Sequence, residues 1–352
     1  RSYGQFRWIE RNYKMDFDIV DADWAFRNYS VFGNIEQRFM ERLKMEKLKI
    51  IFVGTPDMAI VCLDNLIKNN FNIVGVVPPL KDNLSYHAFK NFTLEKKLNF
   101  LEFENSPNEE KFIEKIKSLN ADIGVVCSYS VKLSLEFLKT TKKGFINCHP
   151  SLLPDYRGGM PYFHIIKNNE KRTGITLHFM DENFDTGDII YQKSFETTPF
   201  ETMGTLFNKT NFMISDALLE TLKNIEENKK IEKIPQNKTT KHKKAPVVNG
   251  YFKINWSYSI DEIDSLIRAC NPFYSAYCYF RGAEMKIIKA HKISKKHNRP
   301  FGEIVKASKK EILIAAPLGY ISLDVVQIGT WGVFVVEDFY NTFKPLVGEI
   351  LK

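Results

Sequence analysis

The feature that most constrains this chain is the recurrence of short apolar runs separated by segments of helical period. The runs LKIIFVG at 48–54, FNIVGVV at 71–77 and DIGVVC at 122–127 show little polar alternation. A strand with one wet face alternates, so near-continuous apolar runs belong to strands covered on both faces. Between them, Ile60, Leu63, Leu66 and Ile67 recur at helical spacing after the turn Thr55-Pro56-Asp57, and 111–119 has the same period. A fourth strand is expected at 144–147, further strands at 175–179 and 188–191, and a long helix over 202–225. Strands alternating with helices predict an α/β, Rossmann-like, mostly parallel sheet with helices on both faces.

After this sheet the texture changes. The segment EENKKIEKIPQNKTTKHKK at 226–244 is polar, charged and poor in large apolar residues, which reads as a linker. Beyond it, a short amphipathic helix at 260–270 precedes brief strands at 276–280, 285–291, 302–306, 312–315 and 320–326, broken by Gly and Pro. Such a series packs naturally as a small antiparallel, OB-like β-barrel. With 352 residues, two packed units plus a tail are expected. The predicted division is an N-terminal extension of unassigned role (1–46), a catalytic domain (47–225), a linker (226–247) and a barrel (248–352).

Composition removes several classes. Hydrophobic residues at 44% and charged residues at 26% are globular proportions, and no apolar run approaches the roughly 20 residues of a membrane helix. The five cysteines form no CxxC pair that would suggest zinc or redox work. The first stretch lacks the basic-then-apolar layout of a secretory signal, so the cytoplasm is the expected compartment. A net charge of +8 suits an anionic partner, but the lysines are spread rather than blocked together. The Val53-Gly54-Thr55 turn lacks the GxGxxG that cradles a dinucleotide, and Pro56 and Asp57 read as first-turn helix residues.

The densest chemical signal is GFINCHPSLLPDYRGGMP at 144–161, where a buried strand emerges into a polar loop rich in Gly and Pro. In an open α/β sheet ligands bind beyond the carboxyl ends of the strands. Asn147 and His149 are two apart, so their side chains leave the strand on one face. A second segment, MDENFDTGDII at 180–190, presents Asp181, Asp185 and Asp188 around a Gly turn. Taken singly, His149 is a capped strand-end histidine and the acidic segment an ordinary hairpin loop.

Taken together and in order, these residues carry a resemblance. Asn147-Cys148-His149, Ser151-Leu152-Leu153-Pro154, Arg157-Gly158 and Asp185-Thr186-Gly187-Asp188 resemble the methionyl-tRNA formyltransferase family of 10-formyltetrahydrofolate-dependent enzymes. The likeness runs from Leu48 onward and includes Ile254-Asn255-Trp256, Arg268-Ala269 and Asn271-Pro272 of the barrel region. It implies transfer of a formyl group from a reduced folate, the cosubstrate, to a primary amine, with no membrane partner. Attack on the formyl carbon builds an oxyanion, and removing one well-placed donor from such a charge costs on the order of 3 kcal/mol. Asn147 and His149 are the expected donors, and Asp185 is expected to hold His149 in its useful tautomer and share the amine proton with it. The chemistry needs no metal, and the spacing suggests none. By the same resemblance, the folate lodges beside Tyr129, Val131 and Asp181, with Ser151, Leu152, Leu153 and Pro154 lining the passage to the formyl group.

The acceptor is less constrained. Where the tRNA enzymes carry a Gly/Lys-rich insertion, this chain has VPPLKDNLSYHAFKNF at 77–92, aromatic and nearly charge-balanced. A tRNA-gripping loop offers lysines that track the backbone. Gly159-Met160-Pro161-Tyr162-Phe163 is more like relatives that formylate amino sugars. Tyr86, Arg157, Tyr162 and Phe163 are therefore the candidate acceptor contacts, and a nucleotide-linked amino sugar or other small amine is preferred to initiator methionyl-tRNA. A formyltetrahydrofolate hydrolase or a non-catalytic folate- or RNA-binding protein is a weaker alternative.

Overall fold

Six strands build the first sheet: β1 (Lys49–Gly54), β2 (Asn72–Val77), β3 (Ile123–Cys127), β4 (Phe145–His149), β5 (Arg172–Phe179) and β6 (Ile189–Glu196). Their spatial order is β2-β1-β3-β4-β5-β6. The first four are parallel, β5 runs antiparallel to β4, and β6 runs antiparallel to β5. The computed structural model describes residues 47–237, 243–248 and 252–352. The expected N-terminal extension and part of the predicted linker, 238–242, lie outside the described residues.

Side-chain alternation along β1 decides how the sheet is covered. Ile50 and Phe52 pack with Leu63 and Leu66 of α1 (Met58–Lys68) and Leu218 and Leu222 of α6 (Met203–Glu226). Ile51 and Val53 point the other way, onto Phe112 and Ile116 of α3 (Glu110–Ser118) and Phe137 of α4 (Leu135–Leu138). Burying each such side chain contributes about 1.5–3 kcal/mol, so both faces are needed to hold the sheet. The alternation extends to β4, where Ile146 and Cys148 join the first cluster and Phe145 the second. Asn147 and His149 thus share the face of α3 and α4.

Part of the stretch expected as an acceptor loop is α2 (Tyr86–Glu95), whose buried face is Tyr86, Phe89 and Thr93. That i, i+3, i+7 spacing is helical, although the many polar neighbours obscure it. A short helix, α5 (Pro161–Lys167), follows the R-G-G turn with proline at its start.

The second sheet is antiparallel: β7 (Ala276–Phe280), β8 (Ala283–Ser294), β11 (Gly319–Ile328), β10 (Ile312–Ala316) and β9 (Ile304–Ala307) lie side by side, with β12 (Gly332–Val335) on β11. The chain's end joins its two edges. Lys352 exchanges backbone hydrogen bonds with Tyr279 of β7, Leu351 N–H donates to Gly302, and Ile304 N–H donates to Glu349. This tail turns an open sheet into a small barrel. Helix α7 (Ile260–Cys270) and α8 (Val336–Phe343) complete it. The barrel core continues without a break into Met160, Phe163 and Ile166 around α5, so α5 serves both sheets. No helix among the described residues is long and apolar enough to cross a membrane.

The predicted linker is tied down rather than free. Ile234 exchanges backbone hydrogen bonds with Ile189 at 2.9 Å each, Ala245 N–H donates to Arg157, and Met160 N–H donates to Ala245. These contacts use backbone groups, so side-chain polarity does not report them.

Candidate active site

Strand β4 ends in Asn147-Cys148-His149, and the turn between β5 and β6 supplies Asp185, which adopts the left-handed conformation at φ 55°. Glycine at 187 is required here, because a Cβ would lie 1.8 Å from the Phe179 carbonyl oxygen. These elements converge on one carboxylate. Asp185 Oδ1 accepts from Asn147 Nδ2 at 3.1 Å and lies 3.6 Å from His149 Nδ1 and 3.5 Å from His178 Nε2. Its Oδ2 accepts from the Gly158 N–H at 2.9 Å. His149 Nε2 is 2.9 Å from the Tyr156 carbonyl.

Burial works to raise the Asp185 pKa. It is outweighed by attraction to His149, the hydrogen bond and charge of His178 and the Gly158 N–H, which hold the carboxyl well below the usual carboxylate range. His149 is pushed below its ordinary 6.5, chiefly by burial, with Asp185 pulling the other way. The resting site at neutral pH therefore holds a carboxylate beside a neutral imidazole.

A cavity of about 470 Å³ opens over this centre, walled by the loop after β3, by Met180–Asp185 and by Gly158–Tyr162. Of the residues singled out in the sequence, Asn147, His149, Asp185, Tyr129, Val131, Asp181 and Tyr162 line it. The others stand elsewhere. Ser151 donates to the Asp155 carbonyl, Leu153 N–H donates to Thr176, and Leu152 packs by Gly174, so the run from Ser151 to Pro154 forms the turn behind the cavity wall. Tyr86 is buried with its hydroxyl on Glu102. Phe163 lies in the barrel-side core against Phe252. Arg157 donates to Gln236 Oε1 at 2.6 and 3.2 Å. Aromatic residues at helical spacing are recruited by the core, which is why composition alone places Tyr86 and Phe163 at a ligand site.

Three residues of the site carry no motif. His178 is the polar residue near the end of an apolar strand, paired in register with Asn147; a buried histidine flanking the acidic turn is the signal for it. Gln236, from the linker, donates to the carbonyls of Asp185 and Gly187 at 3.0 and 2.7 Å. Tyr156 contributes only its carbonyl, which no side-chain pattern reveals. Among the described residues, no group of three or more His, Cys, Asp or Glu is arranged to hold a metal.

An amide, an imidazole and a carboxylate at the carboxyl ends of a parallel sheet, followed by a barrel, define a group-transfer enzyme of the formyl transferase type. Residues 47–222 match the family described as formyl transferase, and residues 249–344 match the formyl transferase C-terminal domain. The chain belongs to this family and is a formyltransferase. It is 33% identical over 294 residues to the methionyl-tRNA formyltransferase of Flavobacterium johnsoniae, spanning 81% of this chain and 92% of that one. With the methionyl-tRNA formyltransferase of Clostridioides difficile it shares 34% identity over 312 residues, 87% of this chain and 96% of the relative. In fold it is similar to the N-formyltransferase of Helicobacter canadensis solved with folinic acid and dTDP-3-aminofucose, with a TM-score of 0.61 at 21% identity, covering 78% of this chain and 98% of that one.

Proposed function

We propose that the chain takes the formyl group of 10-formyltetrahydrofolate and passes it to the amine of methionyl-tRNA. The cavity suits a flat bicyclic ring, since Tyr129, Val131 and Met180 line it together with the polar centre. At that centre the amine nitrogen attacks the formyl carbon beside the Asn147 amide, whose Nδ2 rests on Asp185 Oδ1 and His178 Nε2 at 3.1 Å each and is the donor at hand for the charge on the formyl oxygen.

The observation that carries the acceptor is the linker. Its lysines Lys229, Lys230, Lys233, Lys243 and Lys244 are exposed, and the same segment places Val247 in the cavity wall. A lysine-bearing segment that reaches the cavity wall at Val247 suits a polyanion whose reactive end enters while its backbone stays outside. The relatives in Flavobacterium johnsoniae and Clostridioides difficile, matched over nearly their whole length, bear the same acceptor in their names.

A nucleotide-linked amino sugar is the second reading. It is favoured by Tyr162 in the cavity wall, and by the H. canadensis enzyme's complex with such a sugar. Two of the four acceptor residues named for it, Tyr86 and Phe163, lie in the core, which removes much of its aromatic support. Formylation of charged initiator tRNA and of a panel of nucleotide amino sugars, run side by side with 10-formyltetrahydrofolate, tests the choice. Turnover of the tRNA is expected; turnover confined to the sugars reverses it.

A further inference from the structure

Gln236 belongs to no motif and lies in the segment that joins the two sheets, yet it is only 7% exposed and its amide is fully engaged. Its Oε1 accepts from Arg157 Nη2 at 2.6 Å and Nε at 3.2 Å. Its Nε2 donates to the carbonyls of Asp185 at 3.0 Å and Gly187 at 2.7 Å. A guanidinium only donates and a carbonyl only accepts, so this amide fits one way round. Both its hydrogens and both its lone pairs are used. A buried amide with bonds unmade is destabilising, so the position selects a side chain that donates and accepts at once.

These bonds close a ring. Arg157 is followed by Gly158, whose N–H donates to Asp185 Oδ2 at 2.9 Å. Asp185 returns through its own carbonyl to Gln236. The carboxylate and the backbone of one residue are thereby fixed to the same turn. Asp185 needs such restraint, because its left-handed φ of 55° is one that a residue with a Cβ holds only when its surroundings impose it. The segment carrying Gln236 is itself anchored on both flanks. Ile234 exchanges backbone hydrogen bonds with Ile189, and Ala245 N–H donates to the Arg157 carbonyl at 2.9 Å. A Cβ on Gly158 would come within 2.5 Å of the Ala245 carbonyl oxygen, so segment and turn are in close contact.

We propose that Gln236 is a positioning residue for the transfer step: its amide fastens the Asp185 turn to the Arg157-Gly158 turn and so sets where the carboxylate stands against Asn147 and His149. The role rests on the formyl-transfer reading. Gln236 stands outside the lining of the cavity over this centre, so it acts through Asp185 and not on substrate. The segment between the two sheets is, on this view, a working part of the site, and a small displacement of a reacting group is costly enough to make it one.

Gln236→Glu tests this in the full chain. The new side chain still accepts from Arg157, but it sets a carboxylate oxygen against the carbonyls of Asp185 and Gly187, where the amide donates. With folded sites counted by titration with a reduced-folate analogue, kcat per site is expected to fall at least about tenfold, with both KM values within about twofold. A second readout follows the carboxylate itself. Labelling with ¹³C-arginine and ¹⁵N-glycine singles out the amides of Gly158 and Gly282, the glycines that follow arginine. The Gly158 signal is expected to move as its bond to Asp185 changes, while that of Gly282 stays. An unchanged kcat per site, or a fallen kcat with an unmoved Gly158 signal, overturns the proposal. If Gln236→Glu does not fold, Gln236→Asn keeps the amide one carbon short, and kcat per site is expected to fall severalfold; wild-type kcat in that variant overturns the proposal equally. Failure of the wild-type protein to transfer formyl to any acceptor sinks the underlying reading instead, and is seen without a variant.

Discussion

The two sheets bury different things, and the difference separates stability from chemistry. The barrel interior is mostly apolar, with Met285, Ile287, Ile314, Ile321, Leu323 and Val326 almost fully removed from water and only a few polar residues, such as Ser322 and Glu303, buried beside them. The first sheet has a comparable apolar middle, but at the ends of β4 and β5 it buries His149 and His178 around the carboxylate of Asp185. Burial strengthens the barrel and taxes the β4 end, because polar groups lose hydration that hydrogen bonds only partly return. A cluster of that kind persists where its electrostatics are used.

Substitutions in the two sheets should therefore fail differently. Phe280 sits in the barrel core against Phe339, and Phe280→Ala should lower unfolding stability by about 3–5 kcal/mol in denaturant titrations while the folded fraction keeps its kcat. His149→Ala should do the reverse, leaving folate binding and the unfolding midpoint nearly unchanged while cutting transfer at least about a hundredfold. If both variants lose stability and activity in parallel, the division between the sheets is wrong. Gly187→Ala comes next. A Cβ set against the Phe179 carbonyl must displace the turn that carries Asp185, and single-turnover kinetics should show a loss of about tenfold or more.

The smallest effect is in pH. A base must be neutral to act, and burial lowers the His149 pKa, so protonation removes activity only as pH falls through that lowered value. The acid limb of kcat/KM should have its midpoint below about 6.5, with a plateau through neutral pH. A midpoint near or above 7 would contradict the neutral resting imidazole.

Much of the catalytic sheet was legible because its evidence is local. Continuous apolar runs give strands covered on both faces, and N-x-H gives two side chains on one face whatever surrounds them. Helix α7 was readable from its own period over 260–270, and its capping box of Ser259 and Glu262 confirms the start. The acceptor aromatics were not legible in this way. Tyr86 and Phe163 have the composition of ligand contacts, yet their positions follow from which helix face meets the core. The attachment of the linker was not legible for the opposite reason, since its backbone pairs with Ile189 and Arg157 and such pairing leaves no mark on side-chain polarity.

The sequence by itself determined the class of sheet and the order of the motifs, and it singled out Asn147, His149 and Asp185 as candidates, because each reading depends on near neighbours in the chain. Tertiary structure alone decided what surrounds them. His178 lies opposite Asn147 by strand register, Gln236 returns from the linker to hold the carbonyls of Asp185 and Gly187, and the carbonyl of Tyr156 meets His149 through a left-handed turn. Those contacts join residues remote in the chain or use backbone atoms common to every residue, so side-chain pattern carries no trace of them.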